Sequence, residues 1–185
     1  MTEPLLPPGG GYRKLLSYQK AEAIFDLTYY FSHKYLKMGD RTIDQMQQAA
    51  RSGKQNIAEG SSASATSKET EIKLINVAKS SLEELLLDYE DYLRTRNHRI
   101  WELESEEVKA MRKLGKVHND SAFYMKLAET RPPETIANMS ISLINQTTYL
   151  LRRQLDALGD AFIKEGGFRE RMTRLRLEER KKGTK

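Results

Sequence analysis

The chain contains no cysteine, only five prolines and only three histidines among its 185 residues. Without cysteine it can form no disulfide, thiolate nucleophile or cysteine-ligated metal site, and it suits a reducing compartment. No stretch approaches the ~20 consecutive apolar residues that a membrane-spanning helix needs. The first eleven residues, rich in Pro and Gly, lack the basic start and apolar run of a signal peptide. These features predict a cytoplasmic protein that does not enter a membrane.

The known catalytic and metal-binding patterns are also lacking. No two of His33, His98 and His118 lie within four residues, and none stands three positions after a Glu. This excludes the His-Glu-x-x-His motif and the Glu-x-x-His motif of di-metal helical bundles. The acidic pairs Glu83-Glu84 and Glu106-Glu107 occupy adjacent positions, which point about 100° apart on a helix. We predict no enzyme activity, no metal and no cofactor, with the histidines on the surface or in connections.

Positive charge is concentrated at the C-terminal end. Between Gly166 and Lys185 there are eight basic and three acidic residues, a net charge of +5. The formal net charge of the whole chain is also +5, so the first 165 residues are neutral. Lys and Arg neutralise phosphates and release counterions, which gives salt-sensitive, sequence-independent binding. Residues 166–185 are therefore a basic tail, expected either to form a helix or to remain unfolded.

Apolar residues recur three and four positions apart in four long segments, the period of an amphipathic helix. The pattern predicts an all-α protein, an antiparallel up-and-down four-helix bundle over residues 15–165. A flexible leader over 1–14 precedes the bundle, and an irregular connection over 98–132 with a short helix separates helices three and four. We find no second domain and no internal repeat.

The expected helix boundaries rest on capping chemistry. Gly53 in the middle of helix two costs about 1 kcal/mol relative to Ala, so we expect another backbone to approach closely there. Helix two is predicted to begin after the N-cap Asp40 and to end at Gly60, before a loop of small residues. Helix three is predicted to begin with the capping box Thr66-Ser-Lys-Glu69, and the last long helix with Pro132-Pro133. Between them, we expect a short helix capped by Ser105 and ended by Gly115, followed by one or two further turns over Ser121–Ala128.

Two motifs carry a family resemblance. The first is Asn56-Ile57-Ala58-Glu59-Gly60, and the second, after a serine-rich segment, is Ala78-Lys-Ser-Ser81-Leu82-Glu-Glu84-Leu85. Together they resemble the bacterial four-helix-bundle family first noticed as proteins encoded by intervening sequences of large-subunit ribosomal RNA genes. This chain departs from the family in Gly53-Lys54, where Ser-Ile is usual, and in its longer connection and tail.

The resemblance implies a non-catalytic homo-oligomer, a ring-like pentamer, related to the accessory protein of diversity-generating retroelements, which binds nucleic acid and partners a reverse transcriptase. The signature residues Asn56 and Glu59 are expected to be structural, with direct ligand contact as the alternative. Candidate DNA- or RNA-binding residues come from the basic clusters: Arg94, Arg96, Arg99, Arg152, Arg153, Arg169, Arg171, Arg174 and Arg176. The alternative for these clusters is a solvated surface, and the alternative function is a structural or protein-interaction module without a nucleic-acid role.

Overall fold

The computed structural model describes the backbone of residues 11–166 and 168–182; the side chains at 165, 168, 169, 171, 178 and 182 and the leader residues 1–10 lie outside that description. The described residues form helices joined by short connections and contain no strand. A single 3-10 turn, Tyr12–Lys14, precedes seven α-helices. They are α1 (Leu16–Tyr35), α2 (Arg41–Ala63), α3 (Lys68–Thr95), α4 (Glu106–Val117), α5 (Ser121–Glu129), α6 (Pro133–Glu165) and α7 (Phe168–Lys182). None of the described helices is both long and apolar enough to cross a bilayer.

The four long helices make most of the packing contacts. α1 packs against α2 and α6, and α3 packs against the same two helices. The shorter helices cover this group from outside, since α5 lies on α1 and α4 lies on α6. The shared core contains the fully buried side chains Ile24, Leu27, Phe31, Met46, Ile57, Ile75, Leu82, Leu85, Tyr89, Leu93, Ile136, Leu143 and Ile144. Burying a large apolar side chain contributes roughly 1.5–3 kcal/mol before conformational entropy is counted.

Tyr89 places a polar group at the centre of this core. Its ring is fully buried and lies 5.2 Å from the ring of Phe31. Its hydroxyl is 3.0 Å from Thr28 Oγ1, so α3 and α1 satisfy each other's buried hydroxyls. Burial raises the pKa of Tyr89 to about 12. Tyr89 therefore keeps its proton and stays neutral near pH 7.

Several predicted boundaries are confirmed. Asp40 Oδ1 accepts a hydrogen bond from the amide of Thr42 at 2.9 Å and caps α2. Ser105 caps α4 through Val108, and Pro133 occupies the first turn of α6. The prediction that Thr66 caps α3 is wrong by one residue, because Ser67 caps α3 by accepting from the amide of Thr70. Its neighbour Thr66 instead donates to the carbonyl of Ala63.

Two glycines predicted to end helices lie inside them. α2 continues through Gly60 to Ala63, and α4 continues through Gly115 to Val117. A Cβ at Gly60 would lie 3.2 Å from Ile75 Cδ1, and one at Gly115 would lie 2.0 Å from Gln146 Oε1. Both positions are glycine because a neighbouring helix fills the space of a side chain. The connection over 98–132 likewise holds two helices, α4 and α5, of which α5 extends the predicted turns to Glu129.

Another helix lies against Gly53, but it contributes a side chain there and not the backbone that was expected. A Cβ added there would lie 2.7 Å from Cδ2 and 2.8 Å from Cγ of Leu82 on α3. A Cβ at Gly159, in the interior of α6, meets nothing within 4 Å. The two glycines therefore form a matched pair, one constrained by packing and one free of it.

We expect Gly53→Ala to lower the free energy of unfolding by about 1 kcal/mol, since overpacking costs about 1–3 kcal/mol and outweighs the helix-propensity gain. Gly159→Ala, the control, should raise it by about 0.5–1 kcal/mol. Urea denaturation followed by circular dichroism measures both. Stabilisation by both substitutions would contradict the close approach of α2 and α3.

Candidate functional site

The basic cluster that ends α3 is largely engaged by neighbouring groups. Arg94 Nη2 lies 2.7 Å from Asp91 Oδ1, and Arg99 Nη2 lies 2.8 Å from Glu107 Oε1 on α4. The guanidinium of Arg96 lies 4.0 Å from the ring centroid of Tyr92. Part of this charge is therefore neutralised by, or stacked on, neighbouring side chains at the surface, where all three arginines are exposed.

The backbone at this end of α3 has a tight, well-defined turn. Asn97 adopts a positive φ of 55°, a conformation that Asn tolerates better than most residues. The amide of His98 donates to the carbonyl of Leu93, and the amide of Asn97 donates to that of Arg94. These are the two hydrogen bonds of a Schellman motif. The turn fixes the direction in which the chain leaves α3, and with it the positions of Arg96 and Arg99.

The remaining predicted arginines lie further along the chain. Arg152 and Arg153 are exposed on α6, and Arg174 and Arg176 are exposed on α7. The side chains of Arg169 and Arg171 fall outside the described residues. The basic tail is thus a helix, α7, over Phe168–Lys182. Gly166, with a φ of 73°, follows the last residue of α6.

The two signature motifs meet at the interface of α2 and α3. Ser52 Oγ on α2 lies 2.9 Å from Ser81 Oγ on α3. Asn56 donates to both the carbonyl and the hydroxyl of Ser52, at 2.9 and 3.1 Å. Of the other signature residues, Ile57, Gly60, Leu82 and Leu85 are buried, Ala58 is half-buried, and Glu59 and Glu84 are exposed. The contact between Ser52 and Ser81 joins α2 to α3, and Asn56 bonds Ser52 from within α2, which favours a structural role for Asn56 and Ser81.

Glu84 affects a neighbouring carboxyl. Asp88 is half-buried on α3, one turn from both Glu84 and Asp91. Burial, and then the charges of Glu84 and Asp91, raise the pKa of Asp88 to about 6. Because the folded state favours the protonated form, ionisation of Asp88 destabilises the fold increasingly as pH rises from about 4 through 6.

We expect Asp88→Asn to stabilise the protein by about 1 kcal/mol at pH 7.5, a value reduced from the full linkage energy because the group is partly solvated. At pH 4.5 the gain should largely vanish, since Asp88 is then protonated in the folded state. Thermal unfolding at the two pH values measures the difference. An equal effect at both would show that Asp88 has an ordinary pKa.

A large groove follows α6 and is bounded by α4, the segment 100–103 and the start of α1. Its volume is about 1040 Å³, at the upper end of the roughly 300–1,000 Å³ typical of small-molecule sites. The apolar residues that line it are Leu16, Ile100, Trp101, Leu103, Val108, Ile141, Tyr149 and Leu150. Of the predicted site residues whose side chains the structure describes, only Arg152 lines the groove.

Lys20 lies at the α1 end of this groove and is only 3% exposed. Its Nζ donates to the carbonyl of Gly115 at 2.7 Å and to Gln146 Oε1 at 3.0 Å. Gly115 is in the last turn of α4, where carbonyls lack a partner within the helix and attract a cation. Lys20 therefore caps α4 from a different helix. Burial lowers its pKa.

Asn138 holds the opposite end of the groove together and is 1% exposed. Its Oδ1 accepts from the amide of Trp101 at 2.8 Å, and its Nδ2 donates to the carbonyls of Arg99 and Glu134 at 2.9 and 3.0 Å. The side chain of Asn138 thus positions the segment 99–101, which contains the candidate Arg99 and the groove-lining residues Ile100 and Trp101.

The sequence analysis missed Lys20 and Asn138. For Lys20 a signal existed: it stands four residues before Ile24 and seven before Leu27, in register with the core stripe of α1. A lysine at a core position needs a polar partner.

Among the described residues no group of three or more His, Asp or Glu side chains could hold a metal ion. Comparison with known proteins finds no match for this chain: no family model, no curated protein and no solved structure is similar to it.

Proposed function

We propose that the protein is a non-catalytic helical scaffold that binds nucleic acid through its basic C-terminal segment. The carrying observation is the location of charge, since residues 166–185 have a net charge of +5 and the remainder is neutral. Within this segment Arg174, Arg176 and Lys181 are exposed on α7. A helix that displays cations to solvent can neutralise the phosphates of DNA or RNA without reading bases.

The scaffold in this proposal is an antiparallel four-helix bundle of α1, α2, α3 and α6. Cross-helix contacts favour this direction, because they run in opposite order along neighbouring helices. On α2 and α3, Ser52 pairs with Ser81 and Gly60 faces Ile75. On α1 and α2, Ser32 bonds Gln47, and Phe25 faces Lys54. The short connections at 36–40 and 64–67 also favour antiparallel neighbours.

The contacts of the arginines separate the predicted nucleic-acid-binding residues into two groups. Arg94 and Arg99 at the end of α3 form ion pairs with Asp91 and Glu107. Binding a phosphate there would have to displace a carboxylate. We therefore propose Arg152 and Arg153 on α6 and the cations of α7 as the contact surface.

A homo-oligomer would repeat this surface around a symmetry axis and multiply its field. The pentameric ring implied by the family resemblance is a proposal of this kind. Solution mass by light scattering tests it: a mass several times the 21.3 kDa of one chain is expected, and 21.3 kDa would contradict it.

The second candidate function is a protein-interaction module, which the end of α6 favours. Leu155 and Leu158 pack against the core, whereas Ile163 is 83% exposed and Phe162 is 36% exposed. Exposed apolar side chains of this kind suit contact with a partner protein. A reverse transcriptase is the partner that the resemblance implies.

Fluorescence anisotropy with labelled duplex DNA and RNA separates the two functions. The intact chain should bind both at ~50 mM salt, and a chain ending at residue 165 should not bind either. If the intact chain fails to bind, the interaction module takes the place of the nucleic-acid scaffold.

A further inference from the structure

The groove along α6 concentrates apolar surface that faces solvent. Twelve large apolar side chains are exposed among the described residues, and four of them line this one groove: Leu16, Ile100, Leu103 and Tyr149. The groove follows α6 from Asn138 to Tyr149, about 16 Å at 1.5 Å per residue. Its length and walls suit an extended hydrocarbon chain.

The charges around the same groove are mostly positive. Four cationic residues line it, Lys20, Arg112, Lys116 and Arg152, against one carboxylate, Glu90. Of these, Arg112 lies 3.4 Å from Glu104. Such an excess favours an anionic ligand over a neutral or cationic one.

Lys20 supplies a buried anchor for an anion. Both of its hydrogen-bond partners, the Gly115 carbonyl and Gln146 Oε1, are neutral, and within the described part of the chain no carboxylate pairs with it. An ammonium has three N–H donors, so one remains for a ligand. A buried cation without a counter-ion is costly, and an entering anion would remove that cost.

We infer that the groove binds a small amphiphile that carries one carboxylate, with the carboxylate on Lys20 and the hydrocarbon chain along α6 toward Ile100 and Leu103. This site goes beyond the nucleic-acid proposal. The two share Arg152, but among the described residues none of α7 lines the groove. The ligand class is that of a medium- or long-chain fatty acid. The apolar walls of the groove bind the hydrocarbon chain of the ligand, and the ammonium of Lys20 favours a fatty acid over the corresponding alcohol.

Trp101 gives a direct readout, because it is the one tryptophan of the chain and lines the groove. We expect dodecanoate, kept below its micelle concentration, to change Trp101 emission in a saturable way. Lys20→Met should weaken dodecanoate binding by about 10- to 100-fold, the value of a charge-assisted hydrogen bond. Dodecanol, which has the same chain and no charge, should bind both proteins equally.

The controls separate the groove from general hydrophobic binding. Lys113→Met removes a lysine from the exposed face of α4 outside the groove and should leave dodecanoate binding unchanged. Asn145→Phe places a ring in the groove from an exposed position on α6, and it should block the acid and the alcohol alike.

The inference is overturned if dodecanoate produces no saturable change in the intact protein, or if Lys20→Met binds it as tightly as wild type. Should Lys20→Met fail to fold, Asn145→Phe decides: undiminished dodecanoate binding by that variant overturns the site.

Discussion

Replacing Arg174, Arg176 and Lys181 with Gln is expected to weaken the binding of duplex DNA on the order of 100-fold at ~50 mM salt. All three side chains are exposed on α7, so the change removes charge without disturbing the core. Gln has a helix propensity close to that of Arg and Lys, so α7 should persist. Fluorescence anisotropy of a labelled duplex measures the loss.

The matched control removes the same number of charges from the end of α3. Arg94, Arg96 and Arg99 to Gln should weaken binding less than about 5-fold, because these side chains are already paired or stacked. If the α3 variant loses as much affinity as the α7 variant, the protein responds only to its net charge. The assignment of the binding surface to α7 would then be wrong.

Asn138→Ala is expected to lower the free energy of unfolding by about 3 kcal/mol. The substitution removes three hydrogen bonds and leaves the Trp101 amide and the Arg99 carbonyl without their side-chain partner. Each buried polar group left unsatisfied costs about 1–3 kcal/mol. Thermal denaturation should show a Tm lower by roughly 6–12 °C for a chain of this length.

The same variant should also loosen the segment that Asn138 holds, so Trp101 emission should shift to longer wavelength in the folded protein. Asn145→Ala, on the exposed side of the same helix, is the control and should change stability by less than about 0.5 kcal/mol. Equal stability losses in the two variants would refute the anchoring role of Asn138.

Periodicity and capping residues were sufficient to predict the four long helices and the short helix α4, whereas α7 had been left open between a helix and an unfolded tail. The core stripes of α1, α2, α3 and α6 and the caps at Asp40, Ser105 and Pro133 depend on residues within one turn of each other. Such local signals are visible in a single chain. The errors at Gly60 and Gly115 have one cause. In the sequence, a glycine that ends a helix cannot be distinguished from a glycine that leaves room for a neighbouring helix. Only the positions of Ile75 beside Gly60 and of Gln146 beside Gly115 show which role each glycine has.

The functional residues were less predictable, because their roles depend on partners far away in the sequence. Arg99 is a candidate nucleic-acid-binding residue by its place in a basic cluster, yet Glu107 at the start of α4 forms an ion pair with it. In the sequence, nothing distinguishes Asn138 from the other polar residues of α6, because its partners, the backbone groups of Arg99 and Trp101, come next to it only in the folded structure. Lys20 was also missed, although its register with Ile24 and Leu27 is the local signal that could have marked it as buried.

The salt dependence of DNA binding by the intact chain tests the central claim most directly. If the five net charges of residues 166–185 engage phosphates, log K against log salt should have a slope of about −4.5, a loss near 500-fold between 50 and 200 mM. A repeated surface in an oligomer would steepen the slope further. A slope near zero, or the same slope in a chain ending at residue 165, would contradict the account.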